Sequence, residues 1–173
     1  MPVTLGSREI YKGRIFDLRV DTINEGEITY EREIIVHRGS AVIVPIFDDN
    51  TVALVRQYRH ASGRYLLEVP AGSLEPDEEP RSAAIRELEE EVGVTARSID
   101  LISEFYVSPG FLTEKMFVYL ACGLSSTSQM LDSDEIVEIV RVPLSEAVKM
   151  AKDGRIEDAK SIIGLLLAAE KLG

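Results

Sequence analysis

The first half of the chain alternates between apolar and polar residues in short runs that predict β-strands. Residues 10–22 and the segment GEITYEREIIVHRG show partial alternation. Two β-rich runs, SAVIVPIF and TVALVRQYR, flank an Asp-Asp-Asn sequence and predict a hairpin. A shorter strand is predicted in RYLLEVPAG, where Pro70 and Gly72 end it.

The pattern then changes to one that is typical of a helix. Pro80 suits the first helical turn, where its missing N–H costs nothing. Ile85, Leu88 and Val92 recur at helical spacing, which predicts that they face the core. Gly93 can adopt the left-handed conformation that ends a helix. These features predict a helix from about residue 80 to residue 92.

The remainder of the chain returns to strands and closes with two helices. The strand-like segments are IDLISEFYVSPGF, EKMFVYLACGL and EIVEIVRVPL. One helix is predicted over about 143–153, and Asp158 caps a second that contains IIGLLLAAEKL. Strands and helices follow no regular βαβ order, so the predicted fold class is α+β. Residues 1–38 are predicted to form a small N-terminal β extension, and residues 39–173 the main domain.

Composition and charge argue against some classes of partner. The chain has 173 residues, of which 45% are hydrophobic and 28% charged, as in ordinary globular proteins. Its net charge of -11 argues against nucleic acid or an anionic membrane surface as the main partner. We found neither a bilayer-spanning apolar run nor a signal peptide, and Cys122 is the single cysteine. We therefore expect a soluble cytoplasmic protein.

An acidic cluster lies where a helix tolerates it least. In RELEEEVGV, residues 86–94, the acids precede the glycine at the predicted helix end. Glu87, Glu90 and Glu91 are spaced to share one helix face, predicted to be exposed, whereas Glu89 points elsewhere. Repulsion between them and the helix dipole together cost roughly 1–3 kcal/mol. A divalent cation would reverse this penalty, and the alternative is an ordinary solvated acidic face.

The residues around this cluster resemble the Nudix box, the signature of the Nudix hydrolases. Gly72 is followed by Glu78 and then by Arg-Glu-Leu-x-Glu-Glu-x-Gly-Val over residues 86–94. The resemblance implies a mixed β-sheet sandwiched between helices. It also implies cleavage of a nucleoside diphosphate linked to another moiety, with Mg²⁺ or Mn²⁺ as the metal cofactor.

The same resemblance implies roles for individual residues of the box. Glu87, Glu90 and Glu91 correspond to metal ligands, and the backbone carbonyl of Ala71 to a further one; Glu90 and Glu91 are thereby candidate catalytic residues. A salt bridge between Glu78 and Arg86 is expected to hold the loop to the helix. Gly72 and Gly93 correspond to backbone requirements, a tight turn and a helix stop.

Further segments resemble the ADP-ribose pyrophosphatase subgroup. They are Pro109 in YVSPGF, sixteen residues beyond Gly93, the stretch VRQYRH and LLEVPAGSLE, and the ending VPLSEAVKM with DAKSIIGLLLA. This resemblance implies hydrolysis of ADP-ribose to AMP and ribose 5-phosphate, by an enzyme that forms a homodimer. Pro109 also has a simpler interpretation, in which it makes a turn.

A general base is expected on the loop after the box, QMLDSDEIVEI. Glu135 is the first candidate, Asp134 the second, and Asp132 and Glu138 follow. A carboxylate there would take the proton from the attacking water. The alternative is that these acids only keep the loop soluble.

Substrate recognition needs cations and a surface on which a base can stack. Arg56 and Arg59 are candidates for phosphate or ribose oxygens, and Glu68 for a ribose hydroxyl or a water of the site. The resemblance implies that Arg38 and Phe16 flank the adenine and are supplied across a dimer interface. In the alternative interpretation the arginines pair with surface acids and Phe16 belongs to the core.

Three other functions compete with ADP-ribose hydrolysis. A hydrolase of another nucleotide sugar, such as a GDP-sugar, would keep the chemistry and change only the base or sugar pocket. A sensor that binds ADP-ribose without cleaving it usually loses box acids, whereas this chain keeps Glu87, Glu90 and Glu91. An acidic interaction module leaves the complete box unexplained.

Overall fold

The computed structural model describes residues 1–129 and 136–173, which form two compact units. Residues Met1–Gly39 and Phe105–Met116 make up the first unit. Residues Ser40–Glu104 and Phe117–Gly173 make up the second. The fold class is α+β, as the sequence predicted.

The first unit is built on a three-stranded antiparallel sheet. Its strands are β1 (Val3–Lys12), β2 (Asp17–Glu25) and β3 (Ile28–Val36), in the order β1-β2-β3. The backbone of Ile35 joins residues 105–116 to β3, because its N–H donates to Phe111 O at 2.7 Å and its carbonyl accepts from Thr113 N at 3.0 Å. All of β1 is exposed to solvent.

The second unit contains a seven-stranded sheet whose central strand order is β10-β5-β4-β9-β8, with β6 beside β5 and β7 beside β4. The strands are β4 (Ser40–Ile46), β5 (Thr51–Arg59), β6 (Arg64–Glu68), β7 (Ala71–Ser73), β8 (Val94–Tyr106), β9 (Lys115–Ser126) and β10 (Val137–Pro143). The predicted hairpin is β4 and β5, and Asn50 completes its turn with φ of 60°.

The helices occur where the sequence predicted them. Helix α1 (Pro80–Glu87) continues into a π-helical turn at Leu88–Val92, and Gly93 ends it with φ of 68°. Helix α2 is Leu144–Asp153, and helix α3 is Ala159–Leu172. Asp158 caps α3 by accepting a hydrogen bond from Ser161 N at 3.0 Å. No helix in residues 1–129 and 136–173 is long and apolar enough to cross a membrane.

Helices cover both faces of the sheet at β4, whose residues are all buried. Ile43 belongs to the apolar cluster that includes Ala84 and Leu88 on the α1 side. Its neighbour Val44 faces the opposite side of the strand and packs against Gly164 of α3. This arrangement confirms the predicted sheet sandwiched between helices, and it explains why the strand is a continuous apolar run.

Candidate metal centre

The acidic cluster lies on the last turn of α1 and the π-helical turn that follows. Leu88 and Val92 of this turn are buried in the core, as predicted. The prediction that the acidic face is exposed was wrong for Glu91, which is only 3% exposed, and for Glu87, which is only 8% exposed. A π-helical turn contains one more residue than an α-turn, so side chains after Glu87 rotate relative to the ideal helix. Such turns are frequent at functional sites.

Two of the acids contact the short strand β7, on which the box begins. The backbone N–H of Ala71 donates to Glu91 Oε2 at 3.2 Å. A Cβ at Gly72 would overlap the carboxylate of Glu87. Only glycine therefore permits this close approach of the backbone to the acid. Ala71, whose carbonyl is the further predicted ligand, therefore contacts Glu91 through its amide.

Arg86 connects the acids to the loop that precedes α1. Its guanidinium donates to Glu78 Oε1 and Oε2, both at 3.0 Å, which is the expected salt bridge. It also donates to Glu87 at 2.6 Å and to Glu90 at 2.9 Å. Hydrogen bonding to Glu78 raises the pKa of Arg86 most, burial opposes it, and Glu87 and Glu90 add to the rise. The same bond lowers the pKa of Glu78.

The carboxylates have the chemistry that a divalent cation requires, although their side chains are not arranged around a common point in this structure. Within the described ranges 1–129 and 136–173, no group of three or more His, Cys, Asp or Glu side chains is positioned to hold a metal ion. The reason is visible in the contacts, since Arg86 engages Glu87 and Glu90 while Glu91 turns to the Ala71 amide. Carboxylate oxygens are the donors that Mg²⁺ and Mn²⁺ prefer. Glu87, Glu90 and Glu91 therefore suit such an ion.

Glu68 lies at the centre of a buried charged network. Its carboxylate, 1% exposed, accepts from Arg59 Nε at 2.8 Å and Arg59 Nη2 at 2.7 Å. Lys160 Nζ donates to Glu68 Oε2 at 2.5 Å. Burial raises the pKa of Glu68, but the bonds from Arg59 and the charge of Lys160 outweigh it, so the pKa lies below its usual value. The network binds the carboxylate through protein cations on two sides.

Sequence reasoning missed Lys160, although the sequence holds a signal for it. Lys160 lies in the first turn of α3, beside the capping Asp158, where the helix dipole disfavours a cation. The acids at the end of α1 are out of place in the same way. A charge at the unfavourable helix end is thus a signal for a nearby partner in both cases.

The two candidate arginines lie on opposite faces of β5, because residues three apart along a strand point to opposite sides. Arg59 is on the face of Glu68, and its side chain remains 38% exposed. Arg56 donates to Glu138 at 3.2 Å and stacks over the ring of Tyr65 at 4.3 Å. Glu138, the one base candidate among the described residues, is thus an exposed ion-pair partner.

The remaining candidates belong to the first unit or lie outside the described residues. Phe16 and Arg38 line one cavity of about 240 Å³. Phe16 is 41% exposed, so its alternative assignment to the core was wrong. Pro109 is exposed in the turn that Phe111 N closes by donating to Ser108 O at 3.2 Å. Glu135, Asp134 and Asp132 lie outside the described residues.

Comparisons with known proteins give the same family as the box residues. The NUDIX domain model matches residues 37–164. The chain is 38% identical over 162 residues to an ADP-ribose pyrophosphatase of Bacillus subtilis (strain 168), with 91% of this chain and 87% of that protein covered. It is 37% identical over 166 residues to a methanol dehydrogenase activator of Bacillus methanolicus, with 94% and 89% covered. A crystal structure of an ADP compounds hydrolase superimposes with a TM-score of 0.86 at 27% identity, covering 99% of this chain and 94% of that chain.

Proposed function

Because the chain belongs to the Nudix hydrolase family, we propose that it hydrolyses the pyrophosphate of ADP-ribose to AMP and ribose 5-phosphate. The observation that carries this proposal is the gathering of Glu87, Glu90 and Glu91 around the Ala71–Gly72 backbone and Arg86. Relatives with ADP-ribose or ADP compounds in their names support the substrate. A sensor or an acidic interaction module would not require these three carboxylates together.

Nudix hydrolases in general require a divalent metal ion, and we assign Mg²⁺ here, with Mn²⁺ as the alternative. Glu87, Glu90, Glu91 and the carbonyl of Ala71 are the residues that would hold it. When bound, such an ion neutralises phosphate oxygens and lowers the pKa of a coordinated water. The chain itself orients the carboxylates, since the Ala71 amide holds Glu91 and Arg86 holds Glu90.

Arg59 is the better supported of the two arginines as the group that binds a substrate phosphate. Glu68 holds the guanidinium from one side through two hydrogen bonds. A guanidinium has five N–H donors, so donors remain for a second anion beyond these two. The charge of Glu91 also acts on Arg59, as expected for a cation beside the acidic cluster. Glu68 then contributes to substrate binding through Arg59, and Arg56, on the other face of β5, is less well supported.

We propose that two copies of the chain form a homodimer through residues 1–38. Exposed apolar side chains are frequent in this segment, including Val3, Leu5, Ile10, Phe16 and Ile28. Apolar surface of this kind is characteristic of protein interfaces, and a small three-stranded sheet gains stability from a partner. The cavity lined by Phe16 and Arg38 is then the candidate adenine site, with Pro109 as a further substrate contact.

The general base is proposed to be Glu135, in the loop between β9 and β10. The flanking residues support this position. Gln129, just before the undescribed residues, donates from Nε2 to the backbone carbonyl of Glu91 at 2.6 Å. Val137, the second residue after them, pairs with Gln57, two residues before Arg59. The described residues before and after the loop therefore contact the acidic helix end and the strand that carries Arg59.

A panel of nucleotide sugars and dinucleotides with Mg²⁺ tests the function directly. We expect ADP-ribose to give the highest kcat/KM, with AMP and ribose 5-phosphate identified by mass in equal amounts. A GDP-sugar that is cleaved faster would leave the hydrolytic chemistry in place and replace the substrate. Tight binding of ADP-ribose without turnover would establish the sensor instead.

We assign the enzyme to the cytoplasm, in keeping with its single cysteine, Cys122.

A further inference from the structure

The start of α3 is attached by side chains to the segment that leads into the box. Ser161 Oγ accepts a hydrogen bond from Val69 N at 2.8 Å. Lys160 Nζ binds Glu68, the residue before Val69, and also lies 3.0 Å from Asp158 Oδ1. Ser161 Oγ in turn donates to Asp158 Oδ2 at 2.5 Å. Two successive residues of the helix thus hold two successive residues of the chain that enters the site.

These attachments are buried, which makes them unusual for polar side chains. Ser161 is 0% exposed and Lys160 is 8% exposed. A buried ion pair adds little net stability, because desolvation cancels most of the attraction. A buried hydrogen bond to a backbone amide, by contrast, specifies one position of that amide. The network is therefore better suited to defining geometry than to strengthening the core.

The segment held by α3 reaches the acidic cluster within three residues. Val69 is followed by Pro70, whose carbonyl accepts from Ile43 N at 2.9 Å and so joins the segment to β4. Ala71 N then donates to Glu91, and Gly72 abuts the carboxylate of Glu87. A displacement of Val69 would pass through this short run of backbone to the carboxylates.

A second connection passes from Lys160 to Arg59 through Glu68. Arg59 and Lys160 bind the same carboxylate, and Arg59 Nη2 and Lys160 Nζ share its oxygen Oε2. Arg59 is the more exposed of the two cations, at 38% against 10% for their side chains. Lys160 therefore fixes Glu68 from the interior, and Glu68 orients the cation that faces outward.

We infer that Lys160 and Ser161 are positioning residues of the active site, with Ser161 setting the metal-binding carboxylates through Val69–Gly72 and Lys160 setting Arg59 through Glu68. The inference rests on the proposed function for the roles of the carboxylates and of Arg59. The two residues at the start of α3 therefore have separable effects. Ser161 governs metal affinity, and Lys160 governs substrate affinity.

The test uses the full chain with Ser161→Ala, Ser161→Thr and Lys160→Met, and it measures Mn²⁺ binding by electron paramagnetic resonance without substrate. Ser161→Ala removes the acceptor for Val69 N, and we expect Mn²⁺ affinity to fall about 10-fold, as for other residues that orient metal ligands. Ser161→Thr keeps the hydroxyl and should restore it. Lys160→Met should leave Mn²⁺ affinity unchanged and raise the KM for ADP-ribose about 10-fold.

A matched control separates positioning from stability. Ile156, 0% exposed, lies just before α3, and Ile156→Val removes one buried methylene without touching the network. It should lower the melting temperature and leave both Mn²⁺ affinity and KM unchanged. Lys160→Gln, which removes the charge and shortens the side chain, serves in place of Lys160→Met if that variant fails to fold, and the same rise in KM is expected.

The inference is overturned if Ser161→Ala and Lys160→Met behave like Ile156→Val, with lower melting temperatures and unchanged Mn²⁺ affinity and KM. It is also overturned if Ser161→Thr does not restore what Ser161→Ala loses. Failure of the proposed function has a different signature, because the wild-type chain would then bind Mn²⁺ and show no turnover of ADP-ribose. The metal arm of the experiment still tests Ser161 in that case.

Discussion

Arg86 donates from a single nitrogen, Nη1, to Glu87 Oε1 at 2.6 Å and to Glu90 Oε2 at 2.9 Å. One guanidinium thus balances two acids of the cluster, and it is also bound to Glu78. Glu91 accepts a hydrogen bond from the backbone amide of Ala71, and its charge also interacts with that of Arg59. The cluster carries more negative charge than Arg86 supplies, so a divalent cation gains from both the charge and the oxygen donors.

This imbalance predicts that activity depends on a divalent metal. Excess EDTA should abolish turnover of ADP-ribose, and added Mg²⁺ should restore it. Mg²⁺ should also raise the melting temperature, because a ligand that binds only the native state stabilises it by mass action. Calorimetry with and without Mg²⁺ measures this shift, and Glu91→Gln, which lacks one ligand, should show a smaller one. Full activity in excess chelator would exclude the metal centre.

The second prediction contrasts two neighbouring acids. Glu91→Gln should lower kcat by roughly 10²–10³-fold, because a metal ion contributes several kcal/mol to transition-state stabilisation. Since Glu91 is buried against Ala71, glutamine retains its shape, and circular dichroism should show an intact fold. Glu89→Gln, on the same turn but half-buried, is the matched control and should remain close to wild type. Equal losses from both variants would contradict the assigned helix face.

The third prediction concerns the pH dependence of stability. The pKa of Glu68 is lower in the folded protein than its reference value of 4.5, because hydrogen bonds from Arg59 and the charge of Lys160 outweigh the effect of burial. The unfolded chain therefore binds more protons than the native protein near that pH. The stabilisation by ionised Glu68 is complete above about pH 5 and is lost as the pH falls through the folded-state pKa.

Urea unfolding from pH 3 to pH 7 measures this effect in wild type and Glu68→Gln. At pH 7 the variant should lose about 3 kcal/mol of unfolding free energy, the usual cost of breaking a buried ion pair. The difference should shrink toward pH 3. Glu138→Gln, which removes an exposed pair with Arg56, should cost less than about 1 kcal/mol. A difference between wild type and Glu68→Gln that is constant over this pH range would refute the assigned charge state.

Much of the fold was predictable because local patterns and packing agree. Strand β4 is a continuous apolar run and is buried on both faces, and Gly93 ends its helix with the left-handed conformation that glycine tolerates. The spacing of Leu88 and Val92 predicted a buried helical side. It did not predict the π-helical turn, because two apolar positions four residues apart are compatible with either winding.

The box residues of the candidate site were predictable from the sequence, but the residues that hold the site in place were not. The box acids lie close together in sequence, so their spacing alone brings them together. The bond between Lys160 and Glu68 joins residues separated by 92 positions, and no local periodicity encodes such a pair. The burial of Glu91 was missed for a related reason, since a helical wheel places acids on the solvent side by default.

The fourth prediction is that the chain is a dimer in solution. Light scattering should give about twice the mass of the 19.2 kDa chain. Leu5→Glu introduces a charge on strand β1, where the side chain is 63% exposed, and should produce monomers with reduced affinity for ADP-ribose. Leu101→Glu, at a 48% exposed position of the second unit, is the control and should remain dimeric. A stable, fully active wild-type monomer would remove the roles proposed for Phe16 and Arg38 across an interface.

The last prediction concerns the general base. Glu135→Gln should lower kcat by roughly 10²–10⁴, the usual contribution of general base catalysis. Mn²⁺ binding should survive, because Glu87, Glu90 and Glu91 are unchanged. KM should change little, since a base that contacts water makes no contact with ADP-ribose in the ground state. Asp134→Asn should have a milder effect.

Glu138→Gln is the comparison variant, because Glu138 is the last of the four base candidates and lies at the start of β10. Glu138 is 65% exposed and pairs with Arg56, so its replacement removes a charge of the same kind without removing the proposed base. If Glu135→Gln keeps a near-normal kcat while Asp134→Asn or Asp132→Asn loses it, the mechanism stands and the base is a different residue of the loop. If no loop variant lowers kcat, the proton acceptor lies in the box itself. Glu90 is then the next residue to test, because it is the most exposed of the three box acids and its carboxylate is bound by Arg86.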